Sequence, residues 1–183
     1  MQPRVILDSK KFALTIDRLC FQLIENHNDF GNTALIGVQP RGTNLSNRIE
    51  ARLKQLAPKA MFDYGKLDIT FYRDDYRTRT NPPLASEMAI NFSVQDKRVV
   101  LIDDVLFTGR TIRSAMDALL DFGRPSSVEL LVLIDRRFTR HLPIQADYVG
   151  QTVDTIASEL VKVEWQELEG NDKVWILTNK NHQ

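Results

Sequence analysis

The chain of 183 residues contains one cysteine, Cys20, so it can form no internal disulfide and supports no cysteine-based metal cluster. Its histidines, His27, His141 and His182, show no metal-ligand spacing and receive no role. Long apolar runs are missing too. The longest, residues 130–134 and 99–102, are far too short to cross a bilayer, so no membrane partner is expected. The first ten residues lack the apolar centre of a secretory signal, and a cytoplasmic protein is expected. There is no excess charge: 24 Lys and Arg stand against 24 Asp and Glu. That balance withholds support from a protein driven by nucleic acid, without excluding a local basic patch. No Gly-Lys-Ser/Thr and no Gly-x-Gly-x-x-Gly occurs, which speaks against a Walker loop and a dinucleotide fingerprint. Repeats and Gly/Ser linkers are absent as well, and residues 1–183 read as one domain.

What is present is an alternation of helical and strand patterns. Asp8 or Ser9 can cap a helix that aligns Phe12, Ile16, Leu19, Cys20 and Leu23 on one face. Residues 34–38 read as a buried strand, 39–42 as a loop, and Leu45, Ile49, Leu53 and Leu56 as the stripe of a second helix closed by Pro58. A strand is expected over 67–72, then a long aperiodic segment, 73–87, of the kind that is usually functional. Residues 98–102 form a continuous apolar strand that 103–111 breaks. A helix follows with Ile112, Ala115, Met116, Leu119 and Leu120 inward and Gly123 at its C′ position. Residues 128–134 are another apolar strand, and 148–153, 161–165 and 173–177 are weaker candidates. Strands that are apolar on both faces and alternate with helices argue for an α/β fold with a mostly parallel central sheet. Such sheets bind ligands at the carboxyl ends of their strands, which directs attention to 39–42, 103–111 and 135 onward.

The most informative stretch is Asp103-Asp104-Val105-Leu106-Phe107-Thr108-Gly109-Arg110-Thr111. Two adjacent carboxylates at a strand end are costly unless something uses or pairs them. Just beyond, Thr108, Gly109, Arg110 and Thr111 lead into a helix N-terminus, an anion site to which the hydroxyls add donors. One loop therefore offers acceptors for hydroxyl groups beside donors for a phosphate, the layout of a ribose 5-phosphate. Arg41 is either a solvated surface charge or a forked anion ligand, and its place after a strand favours the second. Asp135 reads equally as a site residue or as the cap of the following turn.

This stretch resembles the signature by which type I phosphoribosyltransferases bind 5-phosphoribosyl diphosphate (PRPP). Residues 102–113, together with 117–119 and 123–127, are similar to the PyrR family of pyrimidine-operon attenuators with uracil phosphoribosyltransferase activity. Val5 to Asp8, Arg41-Gly42, Asp68 to Thr70, Tyr72 to Asp75, and Leu142 to Gly150 match as well, so the resemblance spans nearly the whole chain. It implies a type I phosphoribosyltransferase fold, a central sheet flanked by helices with a small hood and a mobile loop, and a homodimer or larger assembly. It implies conversion of uracil and PRPP to UMP and pyrophosphate with Mg²⁺, which substrate oxygens and water would hold more than protein ligands.

By that resemblance Asp103, Asp104 and Arg73 are the catalytic set, and residues 103–111 hold PRPP: Asp103 and Asp104 its ribose hydroxyls, Thr108 to Thr111 its 5-phosphate. Pro40, Arg41, Gly42 and Arg73 would bind the pyrophosphate, with Arg77 and Arg79 closing over it from the 73–87 segment. A cis peptide is expected at Pro40–Arg41. Ile134, Asp135 and Arg136 would meet the base. Phe107 stands where the similar purine enzymes carry an Asp that assists proton transfer, and so favours a pyrimidine. RNA binding is the alternative reading that the resemblance brings. Against it stand Phe21 and Asn26, where relatives often have His and Arg, and Asp135-Arg136-Arg137-Phe138-Thr139-Arg140-His141 in place of an Asp-Arg-Gly-His run.

Overall fold

The computed structural model describes residues 3–74, 89–156 and 158–178. Its centre is a five-stranded sheet in the order β3-β2-β4-β5-β6, with every neighbouring pair parallel. The strands are β2 (Thr33–Val38), β3 (Phe62–Leu67), β4 (Arg98–Leu106), β5 (Ser127–Arg137) and β6 (Tyr148–Asp154). The apolar runs seen in the sequence are buried on both faces because side chains alternate across a strand. In β4, Val100 and Ile102 face a core shared with α1 (Ser9–His27) and α2 (Gly42–Leu56). Val99 and Leu101 face a second core under α3 (Arg110–Leu119). Asp8 caps α1, its carboxylate accepting from the Lys11 N–H at 2.9 Å.

A second, antiparallel sheet in the order β1-β8-β7 forms the small hood from β1 (Arg4–Leu7), β7 (Glu159–Glu164) and β8 (Lys173–Thr178), with the one-turn helix α4 (Gln166–Glu169) between the last two. Trp165 anchors it, fully buried with its ring edge-on to Phe12 of α1 at 5.2 Å. Arg48 of α2 lies over both rings and pairs with Glu167 and Asp172, tying the hood to the central layers.

Four expectations need correction. The strand placed at 67–72 lies earlier, at Phe62–Leu67, and a 3₁₀ turn, Thr70–Tyr72, follows it. Strand β4 does not stop at Ile102 but carries both acids inside it as far as Leu106. The cis peptide is Gln39–Pro40, not Pro40–Arg41, in keeping with the far smaller cis penalty of an X–Pro bond. Met116 and Leu120, expected inward with Ile112, Ala115 and Leu119, are exposed, whereas His27 is buried between Thr33 and Glu129, where burial lowers its pKa. Residues 75–88, with Arg77 and Arg79, lie outside the described residues, as does His182.

Candidate active site

The site is built at the carboxyl end of β4. Asp103 and Asp104 are both buried, and the Asp103 Oδ1 accepts the Asp104 N–H at 2.9 Å. Burial, then the neighbouring Asp104 carboxylate, push the Asp103 carboxyl well above the usual carboxylate range, while Arg73 opposes the shift. Burial also raises Asp104, and Arg41 opposes it through charge and a hydrogen bond. Two adjacent carboxylates are thus held where only bound cationic or hydrogen-bonding groups make their ionised forms comfortable.

Beyond β4 the chain turns sharply into α3. Gly109 caps that helix at φ +90°, a left-handed conformation that a side chain rarely adopts. Leu142 and Ile144 pack where its Cβ would stand, at 3.5 and 3.3 Å. The Thr108 hydroxyl accepts the Arg110 N–H at 3.4 Å, and Arg110 pairs with Asp74. The result is a cleft of about 380 Å³ lined by Asp103, residues 105–112, Ser114, Arg73 and Asp74. Of the expected PRPP stretch 103–111, Asp103 and Val105 through Thr111 line one cleft together with Arg73, whereas Asp104 is not in the lining and meets Arg41 instead.

The loop after β2 approaches from the other side. A Cβ on Gly42 would stand 2.5 Å from the Ile102 carbonyl oxygen and 2.9 Å from the Asp103 Cα, so only glycine lets this loop press on the acid-bearing strand. Arg41 donates from Nε to Asp104 Oδ2 at 3.1 Å and from Nη2 to the Val163 carbonyl of β7 at 2.6 Å. Pro40, Arg41 and Gly42 do not line the cleft; Gly42 presses on Asp103, which does, and Arg41 holds Asp104 beside it.

The base-side candidates at the end of β5 also stand beside the cleft rather than in its lining. Ile134 is buried, and Asp135 pairs with Arg140. Arg136 is buried, donating to the Thr155 hydroxyl and the Glu159 carbonyl, each at 3.0 Å. Its guanidinium carbon lies 4.0 Å from the centroid of the Phe107 ring, a cation–π stack that joins β5 to the cleft. Sequence reasoning did not single out Asp74 or Ser114 as lining residues, nor Arg140. The Asp74 motif was noted without a role; Ser114 lies one helical turn past Arg110 and was open to the same reasoning as Thr111.

No cluster of three or more His, Cys, Asp or Glu able to hold a metal ion occurs among the described residues. The donor set present is the adjacent acid pair. Two buried carboxylates whose charge lacks full compensation suit a divalent cation that reaches them through substrate oxygens and water.

Comparison with known proteins places the chain in a family. The model of the phosphoribosyl transferase domain matches residues 4–168. A protein named bifunctional protein PyrR from Actinobacillus pleuropneumoniae is 42% identical over 178 residues, 97% of this chain and 98% of its own length. The protein of that name from Bacillus subtilis is 41% identical over 181 residues, 98% of this chain and 99% of its own. Among solved structures, a hypoxanthine phosphoribosyltransferase from Staphylococcus aureus superposes with a TM-score of 0.72 at 21% identity, covering 98% of this chain and 94% of that one. The corresponding enzyme of Trypanosoma cruzi gives 0.71 at 14% identity, covering 97% of each chain. These structural likenesses speak for the fold alone. With a domain match over most of its length and PyrR proteins aligned almost end to end, the chain belongs to the phosphoribosyltransferase family, on its PyrR branch.

Proposed function

We propose that the protein is a uracil phosphoribosyltransferase that joins uracil to PRPP, giving UMP and pyrophosphate. The observation that carries the reading is the continuity of β4 and α3: a buried acid pair for ribose hydroxyls, whose Asp103 lines the cleft, runs within a few residues into a glycine-capped helix N-terminus for a phosphate that lines the same cleft.

In the reaction uracil N1 bonds to ribose C1′ and the C1′–O bond to pyrophosphate breaks, its electron pair leaving with pyrophosphate and the N1 proton passing to solvent. The protein need not supply a nucleophile. Its work is to orient the two substrates and stabilise charge at C1′ and on the leaving group. Asp103 and Asp104 hold the ribose hydroxyls beside the carbon that develops positive charge. Residues Thr108, Gly109, Arg110 and Thr111 hold the 5-phosphate, and Pro40, Arg41, Gly42 and Arg73 receive the pyrophosphate. Ile134, Asp135 and Arg136 meet the base, with Phe107 between base and phosphate. Asp103 and Asp104 would hold Mg²⁺ by way of substrate oxygens and water, and the ion would supply charge neutralisation for the leaving group. Phe107 offers no proton acceptor, which favours a pyrimidine over a purine.

The same reading makes the chain a single-domain cytoplasmic enzyme that assembles as a homodimer or larger; micromolar light scattering showing a monomer would count against the assembly. The deciding experiment is a PRPP-dependent assay with uracil, orotate, hypoxanthine, guanine and xanthine offered in turn. Nucleotide is expected from uracil. Efficient conversion of hypoxanthine or guanine, or no turnover of uracil, overturns the reading.

A further inference from the structure

We infer that Arg140 is a positioning residue that organises the phosphate-binding turn of this site. It stands on the segment after β5, outside every group assigned above to substrate. Its guanidinium donates from Nη1 to the Phe107 carbonyl and from Nη2 to Asp135 Oδ1. Both partners of the ion pair are largely covered, Arg140 with 23% and Asp135 with 16% of the side chain exposed. Asp135 therefore holds the guanidinium in place, and the guanidinium holds a backbone carbonyl of the cleft wall.

The consequence follows from peptide geometry. In a trans peptide the C=O of one residue and the N–H of the next point in opposite directions. Pinning the Phe107 carbonyl toward Arg140 aims the Thr108 N–H away from Arg140. The next carbonyl is held in the same way: Thr108 C=O accepts the N–H groups of His141 and Leu142, at 3.0 and 3.2 Å. That bond pair turns the Gly109 N–H away from the same segment. Two successive amides are thereby set before any ligand arrives, at the turn that lines the cleft and opens α3. Successive N–H groups fixed in this way form an anion nest. The Phe107 side chain is held separately, by the Arg136 stack, so carbonyl and ring are fixed by two different arginines. Preorganised donors bind an anion more tightly than donors that must first be ordered.

The inference rests on the assignment of the 5-phosphate to residues 108–111, and the test separates the two. UMP and uridine differ only in that phosphate, so the ratio of their dissociation constants, measured by calorimetry on the full chain, reads its contribution. Wild type is expected to prefer UMP. Arg140→Met is expected to cut the ratio about tenfold, the scale of a charge-assisted hydrogen bond, while uridine binding stays within about twofold. In steady state KM for PRPP should rise about tenfold and KM for uracil stay within about twofold. Arg140→Gln, which keeps an amide donor, is expected to lose at least about threefold of the ratio, and is read by the same criteria if the Met variant fails to fold. A ratio unchanged from wild type, or equal weakening of both ligands, overturns the role of Arg140. A wild type that binds uridine as tightly as UMP overturns the phosphate assignment, and the inference with it.

Discussion

Arg41 holds Asp104 and the hood together: its Nε donates to the Asp104 carboxylate at 3.1 Å while its Nη2 donates to the Val163 carbonyl at 2.6 Å. One guanidinium thus bridges an acid of the proposed ribose site and a strand of a different sheet. Arg41→Gln removes the charge that offsets burial of Asp104 and the proposed ligand of pyrophosphate. The expected result is a fall of about 10- to 100-fold in kcat/KM for PRPP, with KM for uracil little changed. Asp104→Asn should retain the fold and lose at least ~10²-fold in turnover. Near-normal kinetics in either variant would sink the site assignment.

Asp103 illustrates the opposing demands of a site and of a stable fold. Its carboxyl is buried, adjacent to Asp104, and raised by both facts. Asp103→Asn should therefore stabilise the ligand-free protein by about 1 kcal/mol, a shift of a few degrees in Tm. It should at the same time lower turnover at least ~10²-fold. Calorimetric melting beside the PRPP assay checks both signs; a variant that is both less stable and fully active contradicts the argument.

Far from the cleft, His27 sits with Thr33, Glu129 and Tyr148, and its imidazole pKa is lowered by burial against the pull of Glu129. A lowered histidine binds fewer protons in the folded than in the unfolded chain, so stability rises with pH between the folded and unfolded values. The window opens below about 6.5, the unfolded value. Wild type should thus lose stability from pH 7 to pH 5.5. Glu129, also lowered, adds a loss in the same direction only nearer its own ordinary range. His27→Gln should be about 1 kcal/mol less stable at pH 7.5 yet show a flatter slope through this window. Denaturant titrations at four pH values distinguish this from a parallel shift.

Gly42 is a steric prediction. A methyl group there meets backbone, the Ile102 carbonyl at 2.5 Å, and backbone cannot swing aside. Gly42→Ala should cost about 1–3 kcal/mol and move the 39–42 loop off β4. Activity should fall by more than the small loss in folded fraction accounts for. A variant with wild-type Tm and kcat would show that the loop has slack.

RNA binding is expected to be weak. The arginines around the end of β5 are already engaged, Arg137 with Asp154 at 2.7 Å and Arg140 with Asp135. Arg18 of α1 donates to the Val149 and Gly150 carbonyls, and Leu14 and Phe21 are exposed on the same helix. Arginines engaged in this way are less available to replace counterions on phosphates. Filter binding to a pyrimidine-gene leader RNA at ~150 mM salt should give micromolar or weaker affinity. Nanomolar affinity enhanced by UMP, about 100-fold better than for a scrambled RNA, would reverse this.

The interior of the fold was legible because its strands are buried on both faces, which forces continuous apolar runs such as Val99 to Ile102. Edge elements were not. β3 carries Asp63, Tyr64 and Lys66 at the sheet border, and polar residues there hide the strand. β1 is only four residues long and half exposed. The acid pair was legible as chemistry but not as strand, since carboxylates inside a ladder contradict propensity; the site makes use of them there. The Thr-Gly turn announced itself through residue type. Arg140 could not, because its meaning lies in a carbonyl 33 positions away.

The pairing of β1 with β8 sets an order of events during synthesis. Residues 4–7 leave the ribosome long before their partner strand, residues 173–178. The parallel sheet, complete by Asp154, can assemble while β1 still waits for an edge to join. The hood is therefore a late addition to a core already made. Since Arg41 reaches into it at Val163, one of the proposed anion ligands gains its second anchor only after every strand of the central sheet has been translated.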